Sequence, residues 1–248
     1  MADCIQGKTA LVTGSSQGIG KRIAAALAKQ GCLVLVNGVH HPDKVRNVCE
    51  ELRAAGGKAE VFLCDISSEN ELREKLRSVP PVDILVNNAR LDPYQRPDGL
   101  SDGEWFERLL HVNLTGAYLA ILAVAEGMKE RRWGRIVNMS SVQAHAAVPP
   151  KMIPYAVSKL GLHALTRGFA LELGKYGITV NTVAPGMVVT ENIHNRLTEE
   201  QIRQKLETFP LPRAADADEV AECVVNTLRC GAMTGETVNL NSGFHFPA

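Results

Sequence analysis

The chain has 248 residues, of which 45% are hydrophobic and 22% are charged. That length suits one α/β domain, and the composition is that of a globular protein rather than of a disordered chain. The 27 basic residues balance the 27 acidic ones, which excludes the one-signed charge of proteins that bind nucleic acid or anionic membranes. We therefore expect a small-molecule partner, with no nucleic acid and no membrane.

The start of the chain, Met1 to Lys8, has no basic segment followed by an apolar run, and no later apolar run approaches membrane-spanning length. We therefore expect a cytoplasmic protein. The six cysteines and seven histidines have no spacing typical of metal ligands, and a chain of this size does not depend on disulfides. We expect reduced, mostly buried cysteines and no metal site.

Short apolar runs rich in β-branched residues alternate with helical patterns along the chain. The runs are continuously apolar, as in the strands of a parallel sheet that helices cover on both faces. The predicted strands are Thr9–Thr13, Leu33–Asn37, Glu60–Leu63, Ile84–Val86, Arg135–Asn138, Thr179–Ala184 and Thr237–Leu240. The predicted helices are Ile19–Gln30, Pro42–Ala55, Glu69–Arg77, Asp102–Arg131 in two parts broken near Gly116, Tyr155–Tyr176 and Asp216–Arg229.

This alternation predicts an α/β fold, in which one domain over residues 1–248 contains a doubly wound, Rossmann-type parallel sheet with helices on both faces. In such a sheet the ligand crevice lies at the carboxyl ends of the strands. Residues 187–213 form a polar segment that prolines interrupt. This segment is either a lid over the substrate or a helical insertion at the surface, and the sequence favours neither.

A glycine-rich turn, Thr13-Gly14-Ser15-Ser16-Gln17-Gly18-Ile19-Gly20, directly follows the first predicted strand and opens the first helix. Glycines permit a tight turn and a close approach of the backbone to a pyrophosphate. The amino end of a helix offers unpaired N–H groups and a positive dipole end. The turn therefore predicts a dinucleotide phosphate site.

Tyr155 and Lys159 are four residues apart on a predicted helix, so their side chains lie on one face, a single turn apart. A phenol is a poor acid–base group at neutral pH because its ordinary pKa is near 10, and a neighbouring ammonium favours the phenolate. The pair therefore predicts a group that exchanges a proton near neutrality. By itself this spacing usually marks only a helix face, so its interpretation depends on the glycine turn.

The order of these motifs resembles that of the short-chain dehydrogenase/reductase family over almost the whole chain. The glycine turn is similar to the family's T-G-x-x-x-G-x-G motif, and Asn87-Asn88-Ala89 matches most of its N-N-A-G motif. The resemblance implies hydride transfer between NAD or NADP and a carbonyl or alcohol carbon. The expected cofactor-binding residues are Gly14, Ser16, Gln17, Gly18, Ile19, Asn37, His40, Asp65, Ile66, Asn87, Ala89, Tyr155, Lys159, Pro185, Gly186, Val188 and Thr190.

The resemblance also implies catalytic roles for Ser141, Tyr155, Lys159 and Asn113. Tyr155 protonates the developing alkoxide, Ser141 holds that oxygen, and Lys159 tunes Tyr155 and binds the nicotinamide ribose. Asn113 holds a water near the lysine and completes a proton relay, a role that is compatible with satisfying a break in the local helix backbone. These roles define a proton-transfer site beside the cofactor.

Ser140 competes with Ser141 for the serine role, because the sequence reads Met139-Ser140-Ser141. Alignment on the preceding Gly134-Arg135-Ile136-Val137 favours Ser141.

The end of the second predicted strand bears on the choice between NAD and NADP. An acid there bonds the ribose hydroxyls of NAD, whereas cations there bind the 2′-phosphate of NADP. The position of the acid is Gly38 and the position that is often basic is Val39, so neither feature is present. The absence of a repelling carboxylate, with His40, His41 and Lys44 nearby, favours NADP slightly.

Arg90 departs from the family motif, which has glycine at that place. Its side chain either turns to solvent or points into the crevice, where it would pair with an anionic group of the substrate or cofactor. The proline-rich stretch 148–154 should stiffen the loop before Tyr155. We expect the substrate pocket to include Arg90, Tyr94, His145, Met152 and Met187.

The resemblance is greatest to β-ketoacyl-acyl-carrier-protein reductases and to sugar or polyol dehydrogenases of similar length, which commonly form homotetramers. We therefore expect an NAD(P)-dependent enzyme that interconverts a carbonyl and a secondary alcohol, with a 3-oxoacyl thioester or a sugar or polyol as substrate. The alternative is a dinucleotide-binding module without catalysis, which would have no reason to combine Ser141, Tyr155 and Lys159. A serine hydrolase is disfavoured because no G-x-S-x-G motif is present.

Overall fold

The computed structural model describes residues 3–245. In this part of the chain seven strands form one parallel sheet with the order β3-β2-β1-β4-β5-β6-β7. The predicted α/β fold with a doubly wound parallel sheet is confirmed, and the strand ends differ from prediction by at most two residues. The strands are β1 (Thr9–Val12), β2 (Leu33–Gly38), β3 (Lys58–Leu63), β4 (Ile84–Asn87), β5 (Gly134–Met139), β6 (Ile178–Pro185) and β7 (Thr237–Leu240).

Helices cover both faces of this sheet. The α-helices within residues 3–245 are α1 (Gly18–Lys29), α2 (Pro42–Ala54), α3 (Glu69–Leu76), α4 (Asp102–Leu110), α5 (Gly116–Arg131), α6 (Ile153–Leu173), α7 (Glu191–His194), α8 (Glu199–Leu206) and α9 (Ala217–Arg229). On one face α1, α2 and α9 bury residues such as Ile23, Val48 and Val224 against the sheet. On the other face α3, α5 and α6 contribute Leu72, Ile121 and Phe169.

The strand order reverses between β1 and β4, which are neighbours in the sheet although two strands separate them along the chain. From β1 the chain proceeds outward through β2 and β3, and from β4 it proceeds in the opposite direction to β7. Connections diverge at such a point and leave a crevice at the carboxyl ends of the strands, where ligands bind in open α/β sheets. The fold therefore places the turns after β1 and β4 side by side at one crevice.

The predicted division into two helices near Gly116 is confirmed, since α4 ends at Leu110 and α5 begins at Gly116. The backbone stays helical at this point, with φ of −62° at Thr115 and −57° at Gly116. Residues His111–Thr115 form a π-helical turn between the two helices. A π turn accommodates an extra residue in a continuing helix, and such turns are frequent at functional sites.

The combined stretch Asp102–Arg131 has 30 residues and a mean hydropathy of 1.5 over an 18-residue window, enough to cross a membrane by length and composition. The expectation that no segment approaches this length is therefore wrong, because the apolar residues are spread along two helices rather than gathered in one run. Of this window 44% is buried within the protein. Ile121 and Met128 belong to the core on one face of the sheet, as expected for an interior helix.

The segment 187–213 is partly helical. It contains α7 and α8, and Val188 pairs with Ala215 in an isolated parallel bridge. Thr198 caps α8 by accepting from the backbone N–H of Gln201 at 3.2 Å, while the Gln201 side chain accepts from the N–H of Thr198 at 2.9 Å. These reciprocal bonds give the segment a defined structure beside the crevice.

Candidate active site

A cavity of about 880 Å³ occupies the carboxyl ends of the strands. It extends from the turn after β1 to segment 187–213. Most of the predicted site residues line it, and the structure brings the following together: Gly14, Ser16, Gln17, Gly18, Ile19, Asn37, His40, Asp65, Ile66, Ala89, Arg90, Tyr94, Ser141, Met152, Tyr155, Lys159, Pro185, Gly186, Met187, Val188 and Thr190. Three other predicted residues, Asn87, Asn113 and His145, do not line it.

The glycine turn approaches the β4 turn more closely than side chains would allow. Gly14 has φ of 62°, and a Cβ atom there would lie 2.8 Å from the Cα of Ala89. At Gly20 a Cβ would lie 2.4 Å from the Nδ2 of Asn88. Glycine is therefore required at both positions, and the turn leaves space above the first residues of α1.

The amino end of α1 suits a phosphate group. Its N-cap residue, Gln17, makes no side-chain capping bond, and the first turn carries no acidic residue. By contrast α4, α8 and α9 all begin with a reciprocal side-chain cap. Uncapped N–H groups and the positive end of the helix dipole favour an anion here, so these residues fit the pyrophosphate of a dinucleotide.

Two asparagines hold the glycine turn. The Asn37 side chain accepts from the N–H of Gly14 at 3.0 Å and donates to the carbonyls of Phe62 and Cys64 at 3.1 and 2.9 Å. The Asn88 side chain donates to the carbonyls of Thr13 and Gly14 at 2.9 and 3.0 Å. The turn is thereby fixed in an open shape by its neighbours.

Helix α6 carries Tyr155 and Lys159 one turn apart. It begins two residues earlier than predicted, because Pro154 is well suited to a first helical turn. The Lys159 ammonium lies 5.6 Å from the centre of the Tyr155 ring. The two groups therefore face the same part of the cavity.

Lys159 is an amine in an interior position, only 2% exposed. Burial, and secondarily the positive charge of Arg90, lowers the pKa of Lys159 to about 7. Its Nζ donates to the carbonyl of Met139, at the end of β5, at 2.7 Å. This bond gives the buried amine a partner and ties α6 to the sheet edge.

The two adjacent serines have different surroundings. Both line the cavity. The Ser141 hydroxyl accepts from the N–H of Gln143 at 3.2 Å. The Ser140 hydroxyl donates to the carbonyl of Lys159 at 2.9 Å and lies 2.7 Å from the Nε2 of His163. The Ser140 hydroxyl thus connects the end of β5 to α6. Within residues 3–245, the Ser141 hydroxyl makes only a local backbone contact.

His163 connects α6 to the ends of two strands. Its spacing from other histidines gave no functional prediction. Because the Ser140 proton goes to a carbonyl, Nε2 of His163 donates to Ser140 and Nδ1, 3.0 Å from the Thr237 hydroxyl, accepts. Burial, aided by the neighbouring His145, lowers the pKa of His163 to about 4. The neutral ring therefore helps to fix the helix that carries Lys159.

Asn113 lies in the π-helical turn, 2% exposed and outside the cavity lining. Its side-chain oxygen accepts from the N–H of Leu91 at 2.7 Å, and its Nδ2 is 3.3 Å from the hydroxyl of Ser158. Ser158 in turn donates to the carbonyl of Tyr155 at 2.7 Å. Asn113 thus connects the loop after β4 to the beginning of α6.

Asn87 and His145 lie away from the positions predicted for them. The Asn87 side chain donates to the Oδ1 of Asn138 at 2.9 Å and so joins β4 to β5 in the interior. Asn88 and Ala89, which follow the end of β4, line the cavity. His145 packs edge-on against His163 with ring centres 4.7 Å apart, because the loop after Ser141 turns behind the cavity wall.

Arg90 faces the cavity rather than bulk solvent alone, which answers the question that its position raised. Its guanidinium is 3.5 Å from the carboxylate of Asp92, and the guanidinium of Arg196 is 3.2 Å from the same carboxylate. Lys151 also lines this part of the cavity. Tyr94 contacts both Arg196 and Lys151, at 4.4 and 4.8 Å from the ring centre.

Known proteins with the same architecture agree with this geometry. The sequence model of the short chain dehydrogenase family matches residues 8–201. The chain belongs to the short-chain dehydrogenase/reductase family. A 3-oxoacyl-[acyl-carrier-protein] reductase of Pseudomonas aeruginosa is 36% identical over 97% of this chain and 98% of its own length. This short-chain dehydrogenase/reductase is accordingly an NAD(P)-dependent oxidoreductase that interconverts a carbonyl and an alcohol.

Two solved structures of similar enzymes contain different cofactors. A gluconate 5-dehydrogenase from Burkholderia cenocepacia, in complex with NADP and tartrate, has a TM-score of 0.86 and 29% identity, covering 96% of this chain and 95% of its own. A 3-oxoacyl-[acyl-carrier protein] reductase from Brucella melitensis with bound NAD has a TM-score of 0.88 and 30% identity, covering 98% and 93%. A nicotinamide dinucleotide is therefore the cofactor of this enzyme.

Several residues that line the cavity were not predicted. They include Asp92, Gln143, Lys151, Ile193, Arg196, Leu197, Lys205, Phe209 and Phe244. Asp92 lies two residues after Arg90, and a second charged residue directly after β4 is a sequence signal that could have identified Asp92. Arg196, Lys205 and Phe209 lie within the segment 187–213, whose lid interpretation was left open. Nothing in the local sequence around Gln143 or Phe244 identifies them.

The burial of Lys159 has a measurable consequence for the cofactor-free enzyme. Unfolding restores the ordinary, higher pKa, so between pH 7 and 10 the unfolded chain binds more protons at this amine and stability rises with pH. From pH 7.5 to 9.0 the unfolding free energy should rise by on the order of 1 kcal/mol more than in Lys159→Met.

Denaturant unfolding of both proteins at the two pH values measures this difference, and the other titrating groups cancel because the variants share them. Equal pH slopes would contradict the buried, readily deprotonated amine.

Proposed function

We propose that Tyr155, Lys159, Ser141 and Asn113 carry out the proton transfer that accompanies carbonyl reduction in this enzyme. The observation that supports this most strongly is the placement of Tyr155 beside the buried Lys159, with Ser141 in the same cavity as the uncapped glycine turn. The Tyr155 hydroxyl, the Lys159 ammonium and the Ser141 hydroxyl thus lie together in the cavity that also contains the glycine turn.

When bound, the nicotinamide supplies the hydride for reduction or accepts it in oxidation. Ser141 donates a hydrogen bond to the substrate oxygen and orients the carbonyl. The Tyr155 hydroxyl gives its proton to that oxygen as negative charge develops there. The Lys159 ammonium stabilises the phenolate left behind, and in the oxidative direction Tyr155 takes the proton back.

Asn113 acts on this site through position. Its bonds to Leu91 and Ser158 bring the β4 loop and the first turn of α6 together. In this proposal the π turn also allows Asn113 to hold a water near Lys159, which returns a proton to the phenolate after each turnover.

The substrate is an oxo compound of one of two classes. A 3-oxoacyl thioester is supported by the reductases among its relatives, such as that of P. aeruginosa. A sugar or sugar acid is supported by the similarity to gluconate 5-dehydrogenase. The positively charged groups around Arg90 favour a substrate that bears a carboxylate.

We propose that the glycine turn and the segment after β6 bind the cofactor, with NADP preferred to NAD. Asn37 and His40 line the far end of the cavity, and Lys44 donates to the Gln17 side chain at 3.3 Å. Neither Gly38 nor Val39 offers a carboxylate that would repel a 2′-phosphate. At the other end Pro185, Gly186, Val188 and Thr190 line the cavity beside Tyr155.

We further propose that residues 1–248 act as one domain, with segment 187–213 as the substrate lid. Met187, Ile193, Leu197 and Phe209 line the cavity from this segment, which supports a covering role. The balance of charges supports a cytoplasmic enzyme with no membrane or nucleic-acid partner.

A homotetramer built on α5 and α6 belongs to the same proposal. Apolar residues on these helices are exposed in the single chain, including Tyr118 of α5 at 42% and Val157, Leu160 and Leu171 of α6 at 41%, 49% and 88%. Apolar groups this exposed on adjacent helices favour burial against another copy of the chain.

Replacing Tyr155 with phenylalanine removes the proposed proton donor. With acetoacetyl-N-acetylcysteamine or 5-ketogluconate and NADPH, the Tyr155→Phe enzyme should turn over roughly 10²- to 10⁴-fold more slowly than wild type. NADPH binding, followed by fluorescence, should change little, and Tyr176→Phe at the far end of α6 is the matched control. A variant within tenfold of wild type would remove Tyr155 from the mechanism, and the better substrate distinguishes the two classes.

Cofactor preference is tested at the His40 end of the cavity. Combining His40→Ala with Lys44→Ala should raise the KM for NADPH roughly 5- to 30-fold, since each hydrogen-bond donor contributes about 1 kcal/mol to binding a phosphate. The KM for NADH should stay within twofold, and Lys58→Ala on the exposed start of β3 is the control. Equal changes for both cofactors would argue against recognition of the 2′-phosphate here.

Association is tested by placing a charge on the α5–α6 surface. Leu171→Glu should convert the tetramer to smaller species in sedimentation velocity, because burying the carboxylate in an interface is unfavourable. Leu211→Glu, an equal change at a residue that is 49% exposed elsewhere, should leave the assembly intact. A wild-type monomer, or a tetramer unaffected by Leu171→Glu, would refute this interface.

A further inference from the structure

The substrate end of the cavity is rich in positive charge. Four cations from three separate segments line it, namely Arg90, Lys151, Arg196 and Lys205. Among the lining residues described by the structure, Asp92 is the one carboxylate at this end, since the other acid, Asp65, belongs to the expected cofactor-binding residues. We call Arg90, Asp92, Lys151, Arg196 and Lys205 the cationic end.

Asp92 organises the cationic end without neutralising it. Its side chain is 6% exposed and lies between the guanidiniums of Arg90 and Arg196, at 3.5 and 3.2 Å. The Oδ1 atom also accepts from the backbone N–H of Tyr94 at 3.0 Å, which fixes the carboxylate in its turn. One carboxylate shared by two guanidiniums leaves a net positive charge, and holds the two donors in place before any ligand arrives.

Arg90 is the cation nearest the proposed chemistry. It directly follows Ala89, whose backbone packs against Gly14 of the phosphate turn, and it is close enough to Lys159 to affect its pKa. Glycine at this place in the family motif has no side chain that could occupy the cavity. Arg90 therefore gives this chain a donor of two parallel hydrogen bonds beside the site of hydride transfer.

The arrangement of these groups favours a small anion over an acidic protein surface. The four cations are open to solvent, with the side chains of Arg90 and Arg196 36% and 29% exposed, but all four line one cavity. Tyr94 packs against Arg196 and Lys151. Cations that converge on a cavity can surround one small ligand, which a flat docking surface does not allow.

We propose that the carbonyl substrate of this enzyme bears a carboxylate, which Arg90 binds while Asp92 holds the guanidiniums of Arg90 and Arg196 in place. The inference rests on the proposed function, because it concerns the substrate of the same site. It selects oxo acids over neutral ketoses, polyols and esters.

Matched pairs of substrates test this proposal. With NADPH in excess, kcat/KM is measured for 5-ketogluconate against fructose, and for acetoacetate against methyl acetoacetate. The acid should be favoured in at least one pair by tenfold or more. Arg90→Ala should lower kcat/KM for that acid about 10- to 100-fold, mainly through KM, and change the neutral partner less than threefold.

Two further variants give this test its controls. Arg90→Lys should retain part of the preference, since it keeps the charge but loses the paired donors. Arg73→Ala should alter neither substrate, because this exposed arginine pairs with Glu69 on α3. Preference for the neutral partner, or an acid preference that survives Arg90→Ala, overturns the proposal. It is equally overturned if the favoured substrate is an oxoacyl thioester on an acidic carrier protein and Arg90→Ala affects only that substrate.

A binding measurement separates this proposal from the proposed reaction. Calorimetric titration of the enzyme–NADPH complex with tartrate should give binding that weakens tenfold or more in Arg90→Ala and is unchanged in Arg73→Ala. If no carbonyl compound is reduced but tartrate binds in this way, the proposed reaction fails and the anion site stands. If reduction occurs and tartrate and the oxo acids all fail to bind through Arg90, the anion site is refuted and the reaction stands.

Discussion

The position of the whole site depends on the contact between the turn after β1 and the turn after β4. The Thr13 hydroxyl accepts from the backbone N–H groups of both Asn88 and Ala89, at 2.9 and 3.0 Å. The same hydroxyl lies 3.3 Å from the carbonyl of Val86, to which it donates. One buried side chain thereby joins the phosphate turn to the chain segment that leads to Arg90. These bonds lie where the paired strands β1 and β4 end. The pairing of the two strands therefore sets the distance between the glycine turn and Arg90.

A second set of interactions fixes the proton-transfer groups relative to that edge. Burying an amine such as Lys159 is unfavourable, and the fold tolerates it because the surrounding elements supply defined partners. The Met139 carbonyl receives its hydrogen bond, and Ser140 and His163 tie the same turn of α6 to β5 and β7. Burial of the Lys159 amine lowers the stability of the fold. The same burial brings its pKa near neutrality, as at many catalytic centres.

Patterns that are local in sequence predicted much of this arrangement. Continuous apolar runs identified the strands, and the spacing of Tyr155 and Lys159 placed both on one helix face. The pairing of Asp92 with Arg196 was beyond such reasoning, because 104 residues separate them and no periodicity relates a loop to a distant helix. Asn87 was misplaced for a different reason. Neighbouring strand residues face opposite ways, so a motif match that is correct in order does not say which asparagine turns inward.

The π turn at 111–115 also decides which side of α5 is buried. Trp105 on α4 and Ile121 on α5 are both core residues. Each residue of an ideal α-helix advances by about 100°, so the 16 steps between them would leave Ile121 roughly 160° away from the face of Trp105. A turn that takes up one extra residue reduces this offset to about 60° and brings Ile121 closer to the buried face of Trp105. Shortening this turn by one residue would therefore rotate α5 out of phase with the core and, by the same motion, turn Asn113 away from Ser158.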